Sequence, residues 1–133
     1  MKTWIILTVI ICVILEVAQV YAYTGLIIDA HGLGVNPSMS PKIFDEEGTE
    51  IYGTVEVSPD FVNTNGILGY ANSIKHAIEE GLVGDHPLII RALRLDPHPI
   101  KGNLIVSESD GKLILTENMI EGFLYNYRVA VVW

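Results

Sequence analysis

The sequence predicts a single α+β domain, with one mixed, mainly antiparallel sheet of about six strands and two helices packed on one face. Short apolar segments, separated by Gly, Pro, Asn and Asp, recur along the chain and are typical of strands and turns. Two other segments repeat apolar residues at a spacing typical of helices. Strands and helices do not alternate regularly, so we do not expect a doubly wound nucleotide-binding fold.

The N-terminal segment predicts export. Lys2 precedes an apolar run at Trp4–Leu15, and Val20 and Ala22 stand at the positions that a signal peptidase reads. The run is shorter than the ~20 apolar residues of a membrane-spanning helix. We therefore expect residues 1–22 to be a secretory signal peptide, with an uncleaved N-terminal anchor as the alternative.

Residues 23–133 are then expected to be a single domain of the periplasm or cell envelope, with no transmembrane segment. The one cysteine, Cys12, lies within the predicted signal and is not preceded by the small residues of a lipid-attachment site. The chain has 8 Lys and Arg against 16 Asp and Glu, a net charge of −8. This acidic balance, without a basic cluster, argues against nucleic acid or anionic lipid as a partner.

Local patterns predict the strands in order. Apolar or alternating residues predict strands at Thr24–Ala30, Lys42–Phe44, Glu50–Tyr52, Pro87–Leu95, Asn103–Val106 and Tyr125–Trp133. The acidic connection that contains Gly48 predicts a hairpin between the second and third of these. Val55–Val57 is expected to continue the second arm of that hairpin.

Two segments are predicted to be helical. Apolar residues spaced by three and four predict an amphipathic helix over Ile67–Leu82, ended by Gly81 or Gly84. A shorter helix is expected over Ser107–Glu117, because Ser107 or Ser109 can cap its start by accepting hydrogen bonds from the first-turn N–H groups.

Asp29 and His31 form the sharpest candidate for chemistry. Residues i and i+2 of a strand point to the same side, so the carboxylate can orient the imidazole for base catalysis or metal binding. On this hypothesis the chain is a small zinc-dependent cell-wall hydrolase. The stretch resembles amidases of that class, in which an apolar strand runs into Asp-x-Gly-His-Gly. Here the glycine before His31 is missing, and no histidine pair has metal-ligand spacing.

The structural alternative is favoured. An Asp at the end of a buried strand, followed by Gly32-x-Gly34, is a common way to turn a chain, with the carboxylate accepting loop N–H groups. We therefore expect a non-enzymatic protein with no catalytic residue, no metal and no cofactor, and keep the hydrolase as the alternative. Arg91 and Arg94 are the possible charged partners of Asp29.

Several blocks of the chain resemble one family. "YTGLIIDAHGLGVNPSMSPKIFDEEGTEIYG", "HPLIIRALRL", "NLIVSESDGKLIL" and "GFLYNYRVAVVW" are similar to a domain of bacterial exported proteins, mostly uncharacterised, that includes envelope lipoproteins and flagellar P and T assembly proteins. The chain keeps these residues of the family's opening pattern: Asp29, Ala30, Gly32, Leu33, Gly34, Ser40, Pro41, Lys42, Tyr52 and Gly53. It departs at His31, where the family usually has Arg, and this argues against a zinc ligand there.

The resemblance implies a protein-interaction or assembly module of the envelope, associated with the flagellum or the outer membrane. The candidate contact surface is formed by Asp29, His31, Lys42 and Tyr52, near the first turn and the hairpin. The expected partners are envelope proteins, and a homo-oligomer is left open.

Overall fold

The computed structural model describes residues 22–37, 41–53, 68–96 and 103–133, and these contain eight strands and two helices. In chain order they are β1 Gly25–Asp29, β2 Ile43–Asp45, β3 Glu50–Tyr52, β4 Gly69–Ala71, α1 Ile74–Glu79, β5 Pro87–Arg91, β6 Arg94–Asp96, β7 Asn103–Val106, α2 Glu108–Glu121 and β8 Val129–Val132. Val55–Val57, the expected extension of the hairpin, lies outside the described residues. No helix in the described ranges is long and apolar enough to cross a membrane.

The strands form two sheets. Sheet A has the order β4-β8-β1-β5 and is parallel throughout, whereas sheet B has the order β3-β2-β7-β6 and is mixed. The predicted single, mainly antiparallel sheet of about six strands is therefore wrong.

The reason for the error is long-range pairing. β1 pairs with β5 and β8, which follow much later in the chain, rather than with the neighbouring hairpin. β1 and β8 are buried almost throughout, as strands of a parallel sheet covered on both faces are. Continuous apolar sequences such as GLIID and VAVV fit this environment.

The two sheets share the larger of two apolar cores. Leu26 and Ile28 of β1 belong to the same buried cluster as Leu104 of sheet B and Ile114 of α2. The opposite face of sheet A forms the smaller cluster, in which Ala77 of α1 takes part. The two helices therefore pack into different cores, and the expected placement on one face of one sheet is wrong.

The chain passes from sheet A into sheet B through only two residues, Ala92 and Leu93, which lie between β5 and β6. The N–H of Ala92 donates to the carbonyl of Asp29 at 2.9 Å, and the N–H of Leu93 donates to the carbonyl of Ile105 in sheet B at 2.8 Å. The sequence predicted one strand here, but β5 and β6 belong to different sheets. At this corner the alternation of side chains breaks, so Leu93 and Arg94 are both exposed.

The first helix is shorter than predicted. The six residues of α1 begin after Ser73, whose side chain accepts a hydrogen bond from the N–H of His76 at 3.0 Å. Gly69–Ala71 instead forms β4, where a Cβ on Gly69 would lie 2.7 Å from a methyl group of Leu82. The spacing of apolar residues in the sequence does not indicate this close approach between the strand and the loop.

The second helix and the last strand also differ from prediction. α2 is capped by Ser107, as expected, but continues to Glu121 before Gly122 adopts φ 70°. The final strand covers only Val129–Val132, because the preceding residues form a turn with Tyr127 at φ 56°.

Candidate functional site

The Asp-x-His motif ends β1 and forms a hydrogen-bonded turn. Asp29 Oδ1 accepts a hydrogen bond from the backbone N–H of His31 at 3.1 Å. Gly32 and Gly34 follow with φ values of 80° and 76°, in the left-handed region that favours glycine. The sequence therefore turns the chain sharply where the carboxyl ends of the parallel strands meet.

Arg91 holds this turn from the neighbouring strand. In the parallel register it lies opposite Asp29. Its Nη1 contacts both Oδ1 and the carbonyl oxygen of Asp29 at 3.2 Å, and its Nη2 donates to the carbonyl oxygen of His31 at 2.7 Å. One guanidinium thus binds three oxygen atoms of the turn. Arg94 lies in β6, opposite Ile105 of sheet B. Of the two predicted partners, Arg91 is the one that contacts the carboxylate of Asp29.

This geometry determines what Asp29 does. Within the described part of the chain, its carboxylate contacts the backbone N–H of His31 and the guanidinium of Arg91. Both contacts stabilise the turn, whereas a catalytic dyad requires a contact with the imidazole ring itself. The side chain of His31 is exposed beyond the turn.

An exposed surface of unusual composition adjoins the turn. We call it the β5 surface, and it consists of His31, Ile89, Arg91 and Leu93. Ile89 is 48% exposed and Leu93 is 45% exposed. Ile89 and Arg91 face the α1 side of sheet A, but α1 packs on β4, β8 and β1. Of the described helices, neither therefore covers this side of the edge strand β5. Arg94 is also exposed, but it pairs with Ile105 and faces the outer side of sheet B.

The other two predicted surface residues lie in or beside sheet B. Lys42 precedes β2, and its Nζ forms an ion pair with Glu50 Oε1 at 2.9 Å. Tyr52 is only 8% exposed, so it offers little surface to a partner. Burial, with a smaller effect from nearby Tyr127, raises the pKa of its phenol above the ordinary range. Tyr52 belongs to the same buried cluster as Ala30 and Val35, which follow Asp29 in the chain.

A second exposed apolar surface lies on α2. We call its four exposed apolar residues the α2 surface: Leu115 and Met119 lie on one side of the helix, and Leu113 and Ile120 on another. Met119 is 83% exposed and Ile120 is 72% exposed. The same helix buries Gly111, Ile114 and Asn118 on its inner face. It therefore carries apolar residues on three sides, which is not expected for a surface helix that contacts only its own core.

The charges of α2 are mostly acidic. The helix carries Glu108, Asp110, Glu117 and Glu121 against one cation, Lys112. Lys112 forms an ion pair with Glu108 at 3.0 Å. Lys112 lies between the two exposed apolar pairs, and Glu117 and Glu121 lie on the side of the helix next to Leu113 and Ile120.

A shallow depression of about 250 Å³ lies on the outer side of sheet B. Its floor contains Phe44 and Ile105, and its rim includes Asp45, Glu46 and Asp96. Asp45 Oδ1 accepts hydrogen bonds from two N–H groups of the hairpin, each at 2.9 Å. No three His, Cys, Asp or Glu side chains in the described ranges come close enough together to hold a metal ion.

The fold and both surfaces lie within one family match. The model of the second domain of Treponema pallidum Tp0624 matches residues 25–133. The chain belongs to this family. No curated protein matches the chain. The predicted similarity to envelope lipoproteins and flagellar assembly proteins stays a prediction.

Sequence reasoning found one part of the candidate site in this Tp0624 second-domain protein and missed the rest. It selected Asp29, His31 and the two arginines, but not Ile89 and Leu93, because exposure depends on which strands α1 covers. It also missed the α2 surface. The signal there was Leu113-Ile114-Leu115, a run that places apolar side chains on three sides of a helix.

Proposed function

We propose that this Tp0624 second-domain protein is a non-enzymatic interaction module of the bacterial cell envelope, exported by its N-terminal signal, and that it binds a partner protein through the β5 surface. The observation that carries the proposal is the exposure of Ile89 and Leu93, on and directly after the strand that contains Arg91. Adjacent exposed apolar side chains mark contact surfaces, and arginine is enriched in protein interfaces.

The Asp29 turn makes this surface rigid. Arg91 binds two backbone carbonyls and one carboxylate of the turn, so its own side chain and the loop after β1 are held in one arrangement. A surface ordered before binding loses less conformational entropy when the partner arrives. The function of the motif is therefore to present the contact surface.

The charge of the surface defines the chemistry of the partner. Arg91 lies here, ion-paired with Asp29 but still 53% exposed, on a protein with 8 Lys and Arg against 16 Asp and Glu. A complementary partner presents apolar side chains flanked by carboxylates. Electrostatic complementarity of this kind sets specificity and association rate more than affinity.

Photo-crosslinking in the bacterium that makes the chain tests this function. A photoreactive amino acid at position 89 should form a covalent product with one protein, identified by mass spectrometry. Leu93→Glu should abolish that product, whereas Lys75→Glu, on the exposed side of α1, should leave it unchanged. A product that persists with Leu93→Glu, or no product at position 89, would contradict the proposal.

The zinc hydrolase is the alternative from the sequence, and no contact of the Asp29 turn favours it. It is tested by elemental analysis of the purified chain. Stoichiometric zinc that is lost in His31→Ala would overturn the non-enzymatic function. We expect a zinc content well below one per chain that does not differ between the two proteins.

A further inference from the structure

We infer that the partner protein binds the β5 surface as an extended segment, which adds a strand to the open edge of sheet A. The inference rests on the proposed function, since it names the form in which the partner is bound. It concerns the backbone of β5 as well as its exposed side chains.

β5 is an edge strand. It is the last strand of sheet A in the order β4-β8-β1-β5, and among the described residues it pairs with β1 alone. An edge strand presents a row of N–H and carbonyl groups to which another extended chain can bind. Within the described ranges, the outer side of β5 is therefore free to accept one further strand.

The register determines which backbone groups of β5 point outward. The N–H of Ala92 donates to the carbonyl of Asp29 at 2.9 Å, so residue 92 faces β1. In a parallel ladder the N–H and the carbonyl of one residue point to the same side, and successive residues point to opposite sides. The even-numbered residues of the strand therefore face β1, whereas Ile89 and Arg91 face the open edge.

Pro87, the first residue of β5, agrees with this arrangement. It belongs to the outward-facing set, and proline occurs in sheets where its nitrogen, which carries no hydrogen, points to an open edge. An added strand would find donors at Ile89 and Arg91 and acceptors at the carbonyl groups of all three residues.

The position of the exposed side chains favours a strand over a helix as the occupant. A partner that covers Ile89, which is 48% exposed, also removes the outward N–H and carbonyl of this residue from water. The backbone groups of a helix are already bonded to one another, so a helix would leave those of Ile89 unsatisfied, which costs free energy. A strand replaces their hydrogen bonds and covers the side chain at the same time.

The side chains of β5 define the sequence that the segment carries. Ile89 and Arg91 project on the same face of the sheet, and Arg91 is exposed despite its ion pair with Asp29. Neighbouring side chains on paired strands interact, apolar with apolar and acidic with basic. We expect an apolar residue beside Ile89 and a carboxylate two positions along the segment, beside Arg91.

Amide hydrogen exchange of the purified, isotope-labelled chain tests whether the edge is open. The N–H groups of Ile89 and Arg91 should exchange roughly 100-fold faster than those of Leu88 and Ile90, which face β1. Equal protection of the four amides would mean that the edge is already covered, and the inference would fail.

The partner segment is then located and added. Mass spectrometry of the covalent product formed at position 89 shows which peptide of the partner is attached, and this peptide is synthesised. At saturation it should slow the exchange of the Ile89 and Arg91 amides at least ~10-fold, because a strand bonds to both. A peptide that binds without slowing them, or that does not bind, would overturn the inference.

A matched pair of variants separates the backbone from the side chain. Ile89→Pro removes the outward N–H, and Ile89→Ala removes the side chain but keeps that N–H. Ile89→Pro should weaken peptide binding at least ~10-fold more than Ile89→Ala, and equal effects would contradict strand addition. The amides of Leu88 and Ile90 check that the ladder to β1 is kept. If proline disturbs it, the slowing of exchange in the wild type decides alone.

Failure of this inference can be distinguished from failure of the proposed function. If position 89 gives a product that depends on Leu93 but the peptide leaves the Ile89 and Arg91 amides unprotected, the proposed function stands and strand addition is wrong. If position 89 gives no product, both are wrong.

Discussion

At the scale of single residues, Arg91 decides how the Asp-x-His motif is used. The motif alone is compatible with a base, a metal ligand or a turn. The guanidinium contacts Asp29 Oδ1 and the carbonyl of His31 at 3.2 and 2.7 Å, so the carboxylate stabilises the loop. The sequence alone left this arrangement as one of several alternatives, because the contact between Arg91 and Asp29 joins residues 62 positions apart.

Arg91→Ala should lower the free energy of unfolding by about 1–2 kcal/mol, because the turn loses a partly exposed ion pair and a charged hydrogen bond to a carbonyl. Urea denaturation measures the change. Arg94→Ala is the matched control and should stay within about 0.5 kcal/mol of the wild type. Equal effects of the two substitutions would show that Arg91 does not hold the turn.

Tyr52 gives a prediction about pH. Burial raises the pKa of its phenol in the folded protein, so the native state keeps the proton where the unfolded state, with a pKa near 10, loses it. This contribution to stability is complete below about pH 10 and decreases as the pH rises further. Between pH 9 and pH 11, the wild type should lose about 1.4 kcal/mol more stability than Tyr52→Phe in urea denaturation. Identical losses would mean that the phenol is accessible to water.

At the scale of elements, the sequence predicted what local chemistry determines. The strand Asn103–Val106, the cap at Ser107 and the hairpin around Gly48 are all present. Each depends on residues a few positions apart. In contrast, the split of Pro87–Leu95 between two sheets depends on hydrogen bonds to Asp29 and Ile105, which no local pattern reveals.

Gly25 is predicted to be essential for the start of β1. A Cβ at this position would lie 2.4 Å from the carbonyl oxygen of Val83, which belongs to the backbone and cannot easily move. Gly25→Ala should therefore cost more than about 2 kcal/mol of stability. Gly32→Ala is the control, because a Cβ there meets no atom within 4 Å and the cost, about 1 kcal/mol, comes from the positive φ alone. Thermal unfolding in which Gly32→Ala is the more harmful would contradict this packing.

At the scale of the whole molecule, the parallel sheet was the largest error. Sequence reasoning recognised that the first strand is mostly apolar but expected one mixed, mainly antiparallel sheet. A buried strand without alternation favours a parallel sheet, and β8 carries the same signal. The exposed surfaces could not be predicted for a related reason. Ile27 and Ile89 are both apolar strand residues opposite one another, yet α1 covers the first and leaves the second exposed.

The predicted cleavage after Ala22 gives a prediction about the N-terminus of the chain in the cell. The carbonyl of Ala22 accepts a hydrogen bond from His86 Nδ1 at 2.8 Å, and Tyr23 stacks on the same ring with centroids 5.3 Å apart. Cleavage after Ala22 would leave Tyr23 as the first residue, directly before β1. N-terminal sequencing of the chain recovered from the cell should therefore begin at Tyr23. A chain that retains residues 1–22 would support the membrane anchor instead.

The most direct test of the contact surface is photo-crosslinking at two positions of the chain in the cell. We predict that a photoreactive amino acid at position 89 forms a covalent product with one partner protein, and that the same amino acid at position 75, on the exposed side of α1, does not. No product at position 89, or the same product at both positions, would contradict the assignment of the β5 surface as the contact surface.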